Sequence, residues 1–342
     1  MNMEYKREMP SPEVIKEMIP LEEGLRDVKQ ENDRQIRHVL KGKDDRLLLI
    51  IGPCSADRED AVLDYVTRLR AVQEKVKDKI LIVPRMYTKK PRTTGEGYKG
   101  MLHQPDPAAA PDMLRGLISS RQMLIHALSQ TGFSCADEML YPDSHPYLSD
   151  VLSYVAVGAR SVENQLHRLT ASGLDIPVGM KNPTSGDLSV MMNAITAAQH
   201  GHVFVYSNWE VQTYGNHTAH AVLRGYSDPS GRSVPNYHYD DLRHLADLYA
   251  EASLHNPAVI VDCNHCNSGK HYAEQPRIAA EVLHSMRRSE EIGRLVKGLM
   301  VESYLVDGCQ SAEGGVYGQS ITDPCLGWEK TERMIYDIAE AR

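Results

Sequence analysis

The chain has 342 residues, 42% of them hydrophobic and 25% charged, which is ordinary for a globular protein and excludes the disordered and fibrous classes. Its formal net charge of −8 argues against nucleic acid or an anionic membrane as a partner, although a local basic cluster can still bind a small anion. Six cysteines are too sparse for a disulfide scaffold, and with neither an apolar signal core nor an apolar run of about 18 residues the sequence predicts a protein of the reducing cytoplasm.

The first 45 residues predict a helical arm ahead of a larger domain. The sequence between positions 10 and 43 is charged and only mildly amphipathic, and its last apolar positions are Ile36, Val39 and Leu40. These three side chains need a surface to cover them. Residues 46–342 are long enough for one parallel α/β barrel, which takes about 250 residues, or for two ordinary domains.

Short apolar runs alternate with amphipathic stretches from position 47 onward. Each run is apolar without alternation, as strands buried on both faces are. The predicted strands are 47–52, 80–86, 133–139, 153–158, 176–180, 202–206, 258–263 and 296–301. The predicted helices are 60–76, 112–130, 162–171, 188–198, 240–254, 276–286 and 328–339. This alternation favours a (β/α)8 TIM barrel over 46–342, behind the arm over 1–45; the alternative is an open doubly wound sheet.

Charged, thiol or imidazole side chains follow every predicted strand. The simpler interpretation is that they are ordinary solvated charges in loops, and the alternative is an active site. In a parallel barrel the carboxyl ends of the strands meet on one face, and active sites lie there. One set of these residues consists of cations: Arg85, Lys90, Arg92, Arg160, Lys181 and Arg224. Arginine forks match carboxylate and phosphate oxygens, and Thr93 adds a hydroxyl beside Arg92. The set therefore predicts a multiply anionic, phosphorylated substrate.

A second set combines one thiol, one imidazole and carboxylates. Its members are Cys54, His265, Glu302 and Asp323. Such donors suit a divalent ion such as Mn²⁺, Fe²⁺, Co²⁺ or Zn²⁺. The first, seventh and eighth strands, which precede three of these residues, are neighbours in a closed barrel. For Cys54 alone, a buried structural cysteine is an equal alternative, and Cys263 is a spare thiol on the face of His265 if that strand is regular.

The motifs at these positions resemble those of a known family. In chain order they are GPCS, KPRTT, GARS, PVGMKNPTSG, HAVLRG, DCNHCNSGK, GLMVES and SITDPCLGW. Together they resemble type I 3-deoxy-D-arabino-heptulosonate-7-phosphate (DAHP) synthase over about residues 25–340. A single such motif is a weak signal, whereas all of them in this order are specific.

The resemblance implies condensation of phosphoenolpyruvate with erythrose 4-phosphate, the first step of the shikimate pathway to aromatic amino acids. It implies a divalent metal held by Cys54, His265, Glu302 and Asp323. It implies a phosphoenolpyruvate site formed by Arg85, Lys90, Arg160, Lys181 and Arg224, and a sugar-phosphate site at Arg92 and Thr93. Lys90 is then the candidate acid for the new alkoxide, and Glu138 the candidate to orient the attacking water. The implied assembly is a homo-oligomer, a dimer or a tetramer.

Three other functions remain alternatives. They are 3-deoxy-D-manno-octulosonate 8-phosphate synthase with arabinose 5-phosphate as acceptor, a metal-dependent class II aldolase, and a non-catalytic metal-binding protein. KPRTT favours the four-carbon acceptor.

The chain also departs from the family's pattern. Asn264 and Tyr304 replace a common serine and histidine, and Asp175 replaces a serine of the inhibitor pocket, so inhibition by phenylalanine or tyrosine is not carried over. In resembling enzymes the arm packs on a neighbouring subunit. The alternative is that it plugs the amino-terminal mouth of its own barrel.

Overall fold

The computed structural model describes residues 2–342, and its centre is a sheet of eight parallel strands. In chain order they are β1 (Leu47–Gly52), β2 (Ile80–Pro84), β3 (Cys135–Glu138), β4 (Leu152–Val157), β5 (Val178–Lys181), β6 (His220–Leu223), β7 (Val259–Asp262) and β8 (Val296–Glu302). All the predicted strands except the sixth overlap one of these. Uninterrupted apolar runs therefore located the buried strands.

Strand pairing closes the sheet into a barrel. The hydrogen-bonded order is β2-β1-β8-β7-β6-β5-β4-β3, and a parallel bridge between Arg85 and Ala136 joins β2 to β3. Strands that follow one another along the chain are thus neighbours, and β8 returns beside β1. The fold is a (β/α)8 barrel, as predicted, and the open doubly wound sheet is excluded.

The predicted sixth strand at 202–206 is wrong. Residues Val203–Tyr206 pair antiparallel with Trp209–Gln212 in a hairpin outside the barrel, and the Val205 side chain is 71% exposed. The barrel strand is His220–Leu223, which is buried at every position but only four residues long. Its polar first residue, His220, leaves only three successive apolar residues before Arg224, too few to stand out as an apolar run. Arg224 consequently follows β6 directly, instead of lying in a long segment beyond a strand at 202–206.

Helices connect the strands and cover the outside of the barrel. They are α1 (Pro12–Met18), α2 (Glu23–Leu40), α3 (Glu59–Val76), α4 (Met113–Thr131), α5 (Gln165–Ala171), α6 (Leu188–Gln199), α7 (Tyr239–Ala252), α8 (Gln275–Arg288), α9 (Glu290–Leu295) and α10 (Trp328–Ala341). Local signals set their ends. The Asp112 side chain accepts the Arg115 backbone N–H at the start of α4, and Gly132 ends that helix at a left-handed φ of 72°. Across residues 2–342, every helix falls short of the length and apolarity that crossing a membrane requires.

Helix α2 closes the end of the barrel opposite the strand carboxyl ends. Alternate strand residues point into the barrel, and Ile36, Val39 and Leu40 belong to the same buried cluster as inward-facing residues such as Leu48 and Ile260. The arm therefore plugs its own barrel mouth, which was the second of the two predicted arrangements. Arm and barrel share this cluster, and the boundary between 1–45 and 46–342 stays a prediction.

Polar contacts hold the arm in this position. Asn32 Nδ2 donates to the Gly132 backbone oxygen at 2.8 Å, just ahead of β3. Arg121, a fully buried side chain of α4, donates to the Ile19 backbone oxygen at 2.8 Å and pairs with Asp150 at 2.7 Å. A buried arginine that bonds the link between α1 and α2 fixes both helices to the barrel.

Ile36→Ala is expected to lower the free energy of unfolding by about 2–5 kcal/mol, because truncation of a buried isoleucine leaves a cavity. Val28→Ala lies on the same helix, where the side chain is 37% exposed, and should cost less than about 1 kcal/mol. Urea denaturation followed by circular dichroism measures both. Equal losses in the two variants would contradict the plug.

Candidate active site

A cavity of about 250 Å³ opens where the carboxyl ends of the strands meet. Its lining includes every residue that the sequence analysis assigned to catalysis, substrate or metal: Cys54, Arg85, Lys90, Arg92, Thr93, Glu138, Arg160, Lys181, Arg224, His265, Glu302 and Asp323. These residues come from strand ends and loops far apart along the chain, so barrel closure is what brings them together. Their individual roles stay predictions.

Sulfur, nitrogen and oxygen donors lie on one wall of the cavity. Donor atoms of Cys54, Glu302 and Asp323 all lie within 4.8 Å of one another, and His265 Nε2 lies 3.8 Å from Glu302 Oε1. A thiol, an imidazole and two carboxylates are a donor set for a divalent transition metal. The residues present therefore fit the ion that the resemblance implies.

Lys90 lies between this donor set and the cations. Its Nζ donates to Cys54 Sγ at 2.7 Å and to Asp323 Oδ2 at 2.8 Å. Burial opposes a charged lysine, but Cys54 and Asp323 outweigh burial and raise the pKa of Lys90 above its ordinary value. Burial, and then Glu302, raise the pKa of the Cys54 thiol to about 11. Lys90 therefore holds its proton at neutral pH on the wall of the cavity.

Glu302 is held on its backbone and on both carboxylate oxygens. Gln275 accepts its backbone N–H and donates to its backbone oxygen, both at 2.8 Å. Arg85 Nη2 donates to Oε1 at 3.1 Å, and Asn264 Nδ2 donates to Oε2 at 2.5 Å. Burial raises the pKa of Glu302, but Arg85 and His265 outweigh it, so the pKa lies below its ordinary value. Glu302 is thus a fixed carboxylate, and Asn264 contributes to fixing it.

Arg85 is a buried cation that uses only part of its hydrogen-bonding capacity. Its Cζ lies 3.9 Å from the centre of the Tyr87 ring, and its side chain is 1% exposed. Among the residues that the structure describes, nothing accepts a hydrogen bond from Nε or Nη1. Each buried donor without a partner costs about 1–3 kcal/mol. The unpartnered donors of this buried cation therefore favour an anionic ligand.

Further cations reach the cavity from β5, β6 and the end of β4. Lys181 and Arg224 are buried, whereas Arg160 is exposed at the rim. Lys181 Nζ lies 3.2 Å from Asp262 Oδ2, and the Arg224 backbone N–H donates to Asn182 Oδ1 at 2.9 Å. A small, multiply charged anion can thus be held from several strands at once.

The loop after β2 shapes the outer part of the cavity. Arg92 Nε donates to the Tyr98 backbone oxygen at 2.8 Å, which folds the loop around the guanidinium. Gly97, at φ 82°, lies so near that a Cβ there would be 3.4 Å from Arg92 Cζ. Thr93 is exposed at the same place. Arg92 and Thr93 therefore stand together at the cavity entrance.

Glu138 ends β3 and fits against a glycine on the neighbouring strand. A Cβ at Gly158 would lie 2.4 Å from Glu138 Oε1, so a larger residue there would displace the carboxylate. The Glu138 backbone N–H donates to Asp137 Oδ1 at 2.8 Å, and Lys89 Nζ donates to Asp137 Oδ2 at 2.7 Å. Glu138 thus has a defined position on the cavity wall.

The structure adds residues that the sequence analysis did not assign. Tyr87, Glu96, Thr184 and Lys270 also line the cavity. Lys270 Nζ donates to Asp323 Oδ1 at 3.0 Å, so the two carboxylate oxygens of Asp323 are held by different lysines. Lys270 ends the strand-seven motif DCNHCNSGK, and its place in that motif was the available signal.

Cys263 does not join the donor set. It belongs to the hydrophobic core between barrel and helices and is absent from the cavity lining. His265 adopts a left-handed backbone conformation with φ of 50°. Strand alternation therefore ends before His265, and the premise that placed Cys263 beside it does not hold.

Comparison with known proteins agrees with this geometry. A family model described as the DAHP synthetase I family matches residues 23–335. The chain is 38% identical over 344 residues to the Phe-sensitive phospho-2-dehydro-3-deoxyheptonate aldolase of Escherichia coli (strain K12), covering 98% of this chain and 95% of that protein. The Tyr-sensitive enzyme of the same strain is 37% identical over 337 residues, covering 96% and 91%.

A solved structure gives the same result. The phospho-2-dehydro-3-deoxyheptonate aldolase of Francisella tularensis SCHU S4 matches with a TM-score of 0.92 and 32% sequence identity, covering 99% of this chain and 98% of that one. DAHP synthases catalyse the first step of aromatic amino acid biosynthesis. On the family model, the relatives and the shared fold, the chain belongs to the DAHP synthetase I family.

Proposed function

We propose that the cavity condenses phosphoenolpyruvate with erythrose 4-phosphate to give 3-deoxy-D-arabino-heptulosonate 7-phosphate and inorganic phosphate. The observation that carries this proposal is one cavity in which buried cations adjoin a cluster of one thiol and two carboxylates, with the His265 imidazole 3.8 Å from one of these carboxylates. Phosphoenolpyruvate needs several cations because its carboxylate and its phosphate are both anionic. A class II aldolase or a non-catalytic metal-binding protein has no need of so many.

The proposed metal ligands are Cys54, His265, Glu302 and Asp323, for Mn²⁺, Fe²⁺, Co²⁺ or Zn²⁺. Such an ion, when bound, supplies Lewis-acid polarisation of a carbonyl oxygen. Thiol and imidazole donors favour a first-row transition metal over Mg²⁺ or Ca²⁺. The contacts of Glu302 and Asp323 with their neighbours support this assignment, because they leave little freedom to either carboxylate.

Each proposed substrate is assigned its own set of cations. Phosphoenolpyruvate is assigned to Arg85, Lys90, Arg160, Lys181 and Arg224. The unpartnered Nε and Nη1 of Arg85 support this assignment, because each can still donate a charge-assisted hydrogen bond to an anion. The phosphate of the sugar is assigned to Arg92 and Thr93 at the entrance, so that its aldehyde end points inward.

The proposed reaction needs one proton donor and one oriented water. The bond between C3 of phosphoenolpyruvate and the aldehyde carbon forms while the aldehyde oxygen takes a proton, for which Lys90 is the donor. Positive charge develops at C2, and water adds there with Glu138 orienting it. The hemiketal then expels inorganic phosphate from C2. Both residues border the cavity, which supports these roles.

A steady-state assay of the purified chain with Mn²⁺, phosphoenolpyruvate and either sugar phosphate tests the proposal. We expect erythrose 4-phosphate to disappear with equimolar release of inorganic phosphate. A preference for arabinose 5-phosphate would favour the octulosonate synthase instead. Cleavage of a carbon–carbon bond without release of phosphate would favour a class II aldolase.

Arg92→Ala is expected to raise the KM for erythrose 4-phosphate roughly 10- to 150-fold and to leave the KM for phosphoenolpyruvate nearly unchanged. One hydrogen bond to a charged group is worth about 1.5–3 kcal/mol, which sets this range. Arg224→Ala should show the opposite selectivity. Arg232→Ala, at an exposed arginine paired with Asp228, is the matched control and should change neither KM. If Arg92→Ala raised only the KM for phosphoenolpyruvate, the assignment of the two sites would be wrong.

A further inference from the structure

We propose that Asp262 is a positioning residue that couples the metal site to the phosphoenolpyruvate site, so that each ligand strengthens binding of the other. The inference rests on the proposed function, because it takes His265 as a metal ligand and Lys181 as a contact of phosphoenolpyruvate. Asp262 itself touches neither ligand in this proposal. It acts through the two side chains that share its carboxylate.

One buried carboxylate serves both side chains. Asp262 ends β7 and is fully buried. Its Oδ2 lies 2.8 Å from His265 Nδ1 and 3.2 Å from Lys181 Nζ, while Oδ1 accepts the Asn264 backbone N–H at 3.0 Å. The same oxygen therefore faces a proposed metal ligand and a proposed substrate cation.

The backbone conformation of His265 favours its contact with Asp262. Its left-handed φ of 50° turns the imidazole back toward Asp262, three residues earlier. A non-glycine residue in this conformation is strained and is kept where the surroundings require it. With Nδ1 toward Asp262, Nε2 is the nitrogen that faces Glu302, at 3.8 Å from Oε1. Asp262 thus lies on the Nδ1 side of the ring, at 2.8 Å but outside hydrogen-bond geometry, which leaves Nε2 for a metal.

The direction of the coupling follows from the shared oxygen. With a divalent ion held on Nε2, the imidazole would become more positive, and its electrostatic attraction to the Asp262 carboxylate, 2.8 Å from Nδ1, would increase. The carboxylate then neutralises Lys181 less, and more of the lysine's charge is available to an anion. Binding of Mn²⁺ should therefore tighten binding of phosphoenolpyruvate, and linkage requires the reverse effect to be equal.

Isothermal titration calorimetry on the full chain measures the coupling directly. Phosphoenolpyruvate is titrated into metal-free and Mn²⁺-loaded protein, and Mn²⁺ into metal-free protein, for the wild type and Asp262→Asn. We expect Asp262→Asn to bind Mn²⁺ about 10- to 100-fold more weakly. The metal-free variant should bind phosphoenolpyruvate more tightly than the metal-free wild type, because Lys181 has lost its partner. The ratio of the two phosphoenolpyruvate affinities should fall by about 5-fold or more.

Opposite changes in the two affinities separate this role from simple structural damage, which weakens both. Unchanged Mn²⁺ binding, or phosphoenolpyruvate binding that is unchanged or weaker in the metal-free variant, overturns the proposal. Asp150→Asn breaks a carboxylate–arginine pair that does not line the cavity and is the matched control, with both affinities expected at wild-type values. A wild type that binds neither Mn²⁺ nor phosphoenolpyruvate would overturn the proposed function as well.

A second pair of variants covers the case in which Asp262→Asn does not fold, since it leaves Lys181 as an unpaired buried charge. Lys181→Met removes that charge, and Lys181→Met/Asp262→Asn then isolates the effect of Asp262 on His265. The double variant should bind Mn²⁺ about 10-fold or more weakly than Lys181→Met alone. Equal Mn²⁺ affinities in these two variants reject the proposal.

Discussion

Cys54→Ala is expected to abolish stable Mn²⁺ binding and to lower kcat/KM more than about 100-fold. Changes to residues that only support a metal ligand cost about 10- to 100-fold, and loss of a ligand should exceed that range. The thiol is also the one sulfur in a set whose other members supply oxygen and nitrogen. Metal content by mass spectrometry and steady-state kinetics with added Mn²⁺ measure the two effects.

The barrel itself should survive this substitution. Glu302 and Asp323 are held by arginine, asparagine and lysine contacts that do not involve Cys54, so most of the site is formed by the protein alone. Cys309→Ala, at an exposed thiol, is the matched control and should keep both metal and turnover. Near-wild-type activity of Cys54→Ala with a full complement of metal would remove Cys54 from the ligand set.

The strand ends that form the site were predictable because two simple rules coincide. Uninterrupted apolar runs mark strands buried on both faces, and closure of a parallel barrel gathers their carboxyl ends. Cys54 after β1 and Glu302 at the end of β8 therefore met as expected. The rules failed at Val203–Tyr206, where an equally apolar run forms an exposed hairpin, and at β6, where His220 interrupts the apolar run.

Contacts between particular side chains could not be predicted, because the sequence pattern does not specify the partner of each residue. The apolar residues of α2 indicated that one face of this helix is buried. Either its own barrel or another subunit could bury that face. Asp262 was visible as a strand-end carboxylate, yet its shared contact with His265 and Lys181 depends on a left-handed backbone at His265. Alternation along a strand contains no information about such a turn.

Lys90→Met is expected to lower kcat by about 10²- to 10⁴-fold, the range for loss of a general acid. Lys90 is the lysine that contacts both Cys54 Sγ and Asp323 Oδ2, so it stands where a proton would be delivered to an oxygen bound at this end of the cavity. Stopped-flow or steady-state measurement of inorganic phosphate release at saturating substrates gives kcat. Calorimetry gives the affinity for Mn²⁺ in the same preparation.

Lys270→Met supplies the matched control, because Lys270 bonds the other oxygen of the same carboxylate, at 3.0 Å, from a side chain that is 56% exposed. Both variants remove one ammonium from Asp323, so the Mn²⁺ affinity of Lys270→Met shows how much loss of that contact alone affects the metal site. Only Lys90→Met removes the proton donor, and Lys270→Met should therefore keep kcat within about 10-fold of the wild type. Similar losses of kcat in the two variants would mean that Lys90 acts by holding Asp323 in place. A large loss confined to Lys90→Met, with Mn²⁺ affinity preserved to the same degree in both, would identify Lys90 as the acid.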